Sequence, residues 1–181
     1  MVTETLVKIG NLAFVPFIDH TTIQERIAVI GAQISHDYED KDPLFVPILN
    51  GAFMFAADLM KEISIPCELS FVKVASYLHE HSTGEVEDLI GIQADIKGRH
   101  VVLVEDIVDT GLTMSHLVRK LTAHQPASLA IATLFVKPES LMTQVSIKYT
   151  GFEIPNKFIV GYGLDYQGKG RNYRDVYQKA D

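Results

Sequence analysis

Four consecutive apolar residues, Val101-Val102-Leu103-Val104, run without a break into Glu105-Asp106-Ile107-Val108-Asp109-Thr110-Gly111-Leu112-Thr113. Beyond them Met114, Leu117, Val118 and Leu121 recur at the spacing of a helix face. An unbroken apolar run rich in β-branched residues suits a strand buried on both faces, which is the situation in a parallel sheet with helices on either side. The run therefore predicts a strand, a tight polar turn and an amphipathic helix closed by Gln125-Pro126.

The rest of the chain repeats that alternation. Ile23, Ile27, Ile30 and Ile34 form one apolar stripe of a helix, with Thr22 and Glu25 spaced as a capping box. Leu44 to Leu49 reads as a strand, Asn50-Gly51 as a turn, and Ala52 to Ile63 as a helix. Further strands are expected at Cys67 to Ala75, Leu89 to Ala94, Leu129 to Val136 and Phe158 to Tyr162, and a polar loop at Ser76 to Asp88. Strands alternating with helices imply an α/β fold with a mostly parallel twisted sheet flanked by helices. With 181 residues, 47% of them hydrophobic, and no linker or repeat, the chain reads as a single domain over residues 1–181.

Composition narrows the class of function. A net charge of −7 opposes a backbone-driven nucleic-acid binder, and no apolar run reaches membrane-spanning length. A lone Cys67 and an N-terminus, Met1-Val2-Thr3-Glu4, without a basic or apolar leader make a cytoplasmic location the expectation.

Ligands of open α/β sheets bind beyond the carboxyl ends of the strands, so chemistry is expected at the turn after Val101 to Val104. Its second half is small and hydroxylic, and it leads into a helix N-terminus. Successive N–H groups there, with Thr110, Thr113 and the unhindered Gly111, form a cradle for phosphate. Its first half is acidic. Glu105 and Asp106 cannot attract phosphate, but they can hold magnesium or accept hydrogen bonds from sugar hydroxyls. Acids beside an anion nest suit a ribose phosphate.

The string VVLVEDIVDTGLTM resembles the signature of the type I phosphoribosyltransferases. PILNGAFMFAADLM, SFVKVASYLHEHSTGEVE, LFVKPES and FEIPNKFIVGYGLDY, with Arg171-Asn172 after it, narrow the resemblance to the hypoxanthine (guanine) phosphoribosyltransferases, from about residue 44 to 172. The resemblance implies a hood built from terminal segments and transfer of ribose phosphate from 5-phosphoribosyl-1-pyrophosphate to a 6-oxopurine. It also implies Mg²⁺ as cofactor and a homodimer or homotetramer.

Residue roles follow from the same resemblance. Glu105 and Asp106 face the ribose hydroxyls and the metal, with Asp165 at a second metal. Asp109 is similar to the general acid/base at purine N7, and Asp109, Thr110, Gly111, Leu112 and Thr113 hold the sugar phosphate. Asn50 and Gly51 lie in a pyrophosphate loop where the family has a non-proline cis peptide. Many relatives carry Lys at position 50, so Asn50 puts more weight on backbone contacts. Arg171 is the second pyrophosphate contact, with a planar fork matched to phosphate oxygens. Lys137, which has only donors, satisfies a 6-oxo group and rejects a 6-amino group. Phe158 stacks on the base, Ile159 and Asp165 read its edge through backbone groups, and Ser76-Tyr77 belong to a lid.

Competing signals are weaker. Asp109-Thr110-Gly111 matches the aspartic protease triplet, but that fold is all β and a helix follows here. GLDYQGKG approaches a phosphate loop yet lacks the metal-binding hydroxyl, since position 170 is Gly. His79 and His81 lack further ligands, His116 and His124 share a charged helix, and Cys67 reads as a buried strand residue. The rival from another class is a nucleotide-sensing regulatory protein on the same fold, whose basic RNA-binding surface a charge of −7 does not supply.

Overall fold

A computed structural model describes residues 6–73 and 95–180. In chain order the elements are β1 (Val7–Ile9), β2 (Leu12–Ile18), α1 (His20–Asp37), β3 (Leu44–Leu49), α2 (Phe53–Glu62), β4 (Glu68–Leu69) and β5 (Val72–Lys73). There follow β6 (His100–Val108), α3 (Leu112–Thr122), β7 (Ser128–Val136), a 3₁₀ turn at Pro138–Ser140, β8 (Tyr149–Glu153), β9 (Ile159–Val160) and β10 (Val176–Lys179).

The main sheet has the order β4-β3-β6-β7-β8, with β5 also on β3, and every pairing in it is parallel. Its central strand is β6, as the unbroken apolar run predicts. Alternation along that run divides the core: Val102 and Val104 face α1 and α2, while Val101 and Leu103 face α3. Ile23, Ile27, Ile30 and Ile34 are fully buried on the first side, and Met114, Leu117 and Leu121 are buried on the second. Each such aliphatic side chain contributes roughly 1.5 to 3 kcal/mol by leaving water. Arg26 on α1 donates to the carbonyls of Thr150 and Gly151, tying the helix to the edge strand β8.

A second sheet, β1-β2-β10-β9, is antiparallel and joins the N-terminus to the C-terminus, which is the hood the resemblance implies. Its own core is small: Ile9, Phe14 and Val160, packed by Tyr166, Tyr173 and Tyr177. Strands β1, β2, β8 and β10 carry no expectation from the sequence.

Several expectations shift in detail. The cap of α1 is Asp19, whose carboxylate accepts from the Thr22 amide at 2.9 Å, so Thr22 and Glu25 do not form the box. Cys67 to Ala75 is not one strand. Two short segments pair with β3, and between them the Ser70 amide donates to the Phe45 carbonyl at 2.9 Å. The expected strand at Phe158 to Tyr162 is only Ile159–Val160, because Gly161, Tyr162 and Gly163 all take positive φ (100°, 48° and 98°) and turn the chain. The expected strand at Leu89 to Ala94 and the loop at Ser76 to Asp88 lie outside the described residues.

Candidate active site

The strand β6 is longer than its apolar run. It continues to Val108, so Glu105 and Asp106 sit in the strand and the turn proper begins at Asp109. Both acids are 8% exposed. Strand alternation sends them to different neighbourhoods. Glu105 lines a cavity of about 280 Å³ with Val108, Thr110, Gly111 and Thr113. Asp106 lines a smaller one, about 140 Å³, with Asp109, Lys137, Phe158, Ile159, Leu164 and Asp165. Burial first, and then the Asp106 carboxylate beside it, push the Glu105 carboxyl well above the usual carboxylate range. The Asp106 amide, donating to Glu105 Oε1 at 3.1 Å, offsets part of this, and the Ile107 amide donates to Asp106 Oδ1 at 2.8 Å.

These two carboxylates fit a magnesium ion. Mg²⁺ takes one or two protein carboxylates and completes its shell with water and substrate phosphate oxygens, so a pair of acids beside open space is sufficient. Among the described residues no group of three or more His, Cys, Asp or Glu could hold a metal.

The turn from Asp109 to Thr113 leads directly into α3. Gly111 caps α3 with φ of +77°, a conformation costly for other residues, and α3 starts at Leu112. The Leu112 amide lies 3.4 Å from Thr110 Oγ1, and Leu112 itself is 54% exposed, leaving the helix N-terminus open. The segment Leu141 to Val145 braces this turn. Met142 donates its amide to the Thr110 carbonyl at 2.9 Å, and side chains of Leu141, Thr143 and Val145 pack where a Gly111 Cβ would lie.

On the other side of β6, the peptide between Leu49 and Asn50 is cis, as the family resemblance implies. Asn50 is exposed. Gly51 has no room for a side chain, since a Cβ there would fall 1.6 Å from Asp106 Oδ2. A sequence reader sees only a turn signal; the close approach of strand-end acid and loop backbone is tertiary.

Lys137 follows β7 and is 6% exposed, with its Nζ donating to Asp109 Oδ2 at 2.8 Å. The two residues predicted to read the base thus meet across adjoining strand ends. Phe158 is 42% exposed and held edge-on by Tyr166, with ring centroids 5.7 Å apart. Arg171 donates to the Gly163 carbonyl at 2.6 Å and forms an ion pair with Asp165 at 2.5 Å. Asp165 also accepts from the Gly168 amide at 2.7 Å. In this arrangement Asp165 serves the hood first, and a metal role would compete with Arg171.

The sequence therefore names residues that the fold brings together: Asn50, Gly51, Glu105, Asp106, Asp109 to Thr113, Lys137, Phe158, Ile159, Asp165 and Arg171. Ser76 and Tyr77 lie outside the described residues. The sequence does not single out Leu164 in the smaller cavity, Tyr166 behind Phe158, or Gly163, whose Cβ would come within 2.2 Å of the Gly51 carbonyl oxygen. The dense glycines of GYGLDYQGKG were the available signal. A larger groove of about 490 Å³, between α3 and β7, contains none of the predicted residues.

Comparison with known proteins agrees with this geometry. The phosphoribosyl transferase domain model matches residues 19–167. The hypoxanthine-guanine phosphoribosyltransferase of Mycobacterium tuberculosis is 45% identical over 161 residues, covering 85% of this chain and 78% of that protein. The hypoxanthine phosphoribosyltransferase of Haemophilus influenzae is 41% identical over 162 residues, covering 86% and 89%. A crystal structure of a hypoxanthine-guanine phosphoribosyltransferase from Bacillus anthracis superposes with a TM-score of 0.83 at 35% identity, covering 90% of this chain and 96% of that one. The chain belongs to the phosphoribosyl transferase family, in its hypoxanthine phosphoribosyltransferase group.

Proposed function

We propose that the chain transfers the phosphoribosyl group of 5-phosphoribosyl-1-pyrophosphate to N9 of hypoxanthine, and of guanine, giving IMP or GMP and pyrophosphate. The observation that carries this reading is the 2.8 Å contact between Lys137 Nζ and Asp109 Oδ2 beside the exposed face of Phe158. A 6-oxopurine presents O6 and N7 side by side on one edge, and adenine replaces the O6 acceptor with a donor. A donor and an acceptor in contact at the strand ends match that edge: Lys137 donates to O6 while Asp109 accepts the proton of N7.

The steps assigned to this chain follow. Phe158 stacks on the base and the Asp106 to Asp109 strand end closes its other side. Backbone amides from Thr110 to Thr113, at the α3 N-terminus, hold the 5′-phosphate. Arg171 and the backbone of Asn50-Gly51 hold the pyrophosphate. As C1′ separates from pyrophosphate and bonds to N9, Asp109 takes the N7 proton, a transfer typically worth ~10²- to 10⁴-fold in rate. Glu105 and Asp106 orient the ribose hydroxyls and would hold Mg²⁺, and Asp165 would reach a second ion only on releasing Arg171. When bound, Mg²⁺ neutralises charge developing on the leaving pyrophosphate. The enzyme works in the cytoplasm as a homodimer or homotetramer.

Purified protein with donor and Mg²⁺ is assayed against hypoxanthine, guanine, xanthine and adenine. Turnover of hypoxanthine with negligible use of adenine is expected. No turnover with any oxopurine overturns the reading, and nucleotide binding without turnover favours the sensing alternative. Robust use of adenine overturns the role of Lys137.

A further inference from the structure

Tyr162 is a fully buried residue with φ of +48°, placed between Gly161 and Gly163 in the hood turn. Its hydroxyl donates to Asp58 Oδ2 on α2 at 2.5 Å. Gln24 on α1 donates its Nε2 to Asp58 Oδ2 at 2.8 Å and to the Tyr162 oxygen at 3.1 Å, and Lys61 on α2 donates to Asp58 Oδ1 at 2.7 Å. A left-handed tyrosine whose buried hydroxyl reaches a carboxylate 104 positions away is costly to build, and nothing in the proposed chemistry uses it. Its neighbours explain the placement. The Tyr162 amide donates to the Tyr173 carbonyl at 2.8 Å and the Gly163 amide to the Arg171 carbonyl at 3.0 Å, so the turn fixes the backbone that carries Arg171. Gly163 in turn lies against the Gly51 carbonyl with no space for a Cβ. On the opposite bank, Asp58 is on the helix that leaves the Asn50-Gly51 loop.

We infer that Tyr162, held by Asp58 and Gln24, is a positioning residue that sets the spacing between the Asn50-Gly51 loop and Arg171, the two contacts that together hold pyrophosphate. The inference rests on the proposed function. Burial pushes the Tyr162 phenol up, and against the burial of Asp58 the Lys61 ammonium first, then Tyr162 and Gln24, hold its carboxyl down, so the neutral phenol and charged carboxylate are the forms that persist. Loss of the hydroxyl leaves Asp58 without one of its donors and frees the hood turn to drift from the loop. Lys137 and Asp109, at the ends of β7 and β6, lie outside this link, while Leu164 and Asp165 of the smaller cavity follow Tyr162 directly, so the donor is expected to lose more than the base.

The test compares Tyr162→Phe, Asp58→Asn, their double variant and Gln24→Leu. KM is measured for the ribosyl donor and for hypoxanthine, with calorimetric affinity for Mg²⁺-pyrophosphate and a melting curve for each protein. Tyr162→Phe and Asp58→Asn should each raise donor KM and weaken pyrophosphate about tenfold, the size expected for one hydrogen bond to a charged group. Hypoxanthine KM should stay within about threefold, and the double variant should be no worse than the worse single one, because the residues act as a unit. Gln24→Leu should shift the same parameters less. Equal losses for both substrates, additive losses in the double variant, or unchanged donor KM overturn the inference. If Tyr162→Phe fails to fold, Asp58→Asn and Gln24→Leu decide by the same split between substrates. A wild-type protein that binds pyrophosphate without turning over an oxopurine overturns the function reading instead, and the calorimetric comparison still tests the link.

Discussion

The turn after β6 and the hood meet at one cleft but are built in opposite ways. From Glu105 to Thr113 nine consecutive residues carry the acids, and in the proposed function the proton acceptor and the phosphate cradle, at the end of a strand buried between two layers of helices. The hood takes β1 and β2 from one end of the chain and β9 and β10 from the other, around a core of three fully packed side chains. Rigid, local construction suits groups that must be aligned with a reacting bond. A thin, non-local sheet suits surfaces that admit a flat base and release a product. The comparison teaches that chemistry and base affinity should fail separately.

The largest expected effect is in the turn. Asp109→Asn should lower kcat by ~10²- to 10⁴-fold while donor Kd moves no more than about threefold; parallel loss of both would make the residue structural. Next is Gly51→Ala, whose Cβ would fall 1.6 Å from Asp106 Oδ2. Displacing the loop or the acid by an ångström is expected to cost about 10²-fold in kcat/KM for the donor, and a variant with native kinetics would break the packing argument. In the hood, Phe158→Leu should raise hypoxanthine KM by roughly 5- to 150-fold, the equivalent of ~1 to 3 kcal/mol of stacking, with kcat nearly kept. A kcat defect as large as that of Asp109→Asn would erase the distinction between the two regions.

The smallest effect lies far from both. Asp37, at the end of α1, accepts from Lys148 Nζ and from Tyr149 Oη, each at 2.7 Å. Those two donors, Lys148 first, hold its carboxyl below the ordinary aspartate value of 3.8. A carboxyl lowered by folding adds stability that is complete above its unfolded value and disappears as pH falls through its folded value. Asp37→Asn should therefore flatten the acid limb of a melting-temperature profile below about pH 4 and leave activity at neutral pH unchanged. An unchanged acid limb would contradict that linkage.

The same contrast explains what could be read from the chain. Val101 to Val104 and Leu44 to Leu49 announce buried parallel strands because every residue is apolar, and the acids at the carboxyl end of β6 announce the site because strand ends are where sheets bind ligands. Strands β2 and β10 are not legible because they pair with each other from opposite ends of the chain, and β1 is a three-residue strand that pairs only with β2. Leu12 to Ile18 includes Pro16 and is only partly buried, apart from Phe14. The cap of α1 was misread by three residues because Thr22 and Asp19 are both competent caps, and only the fold decides between them. Gly51 and Gly163 were legible as turn residues, but their reason is contact with Asp106 and with each other across the cleft.

The central claim is that one nucleotide bridges the turn and the hood, and a crystal structure with IMP bound tests it most directly. The account predicts the 5′-phosphate within hydrogen-bond distance of amides between Thr110 and Thr113, O6 at Lys137 Nζ, N7 at Asp109 and the base against Phe158. A nucleotide seated in the groove between α3 and β7, or a base turned away from Lys137 and Phe158, would contradict it.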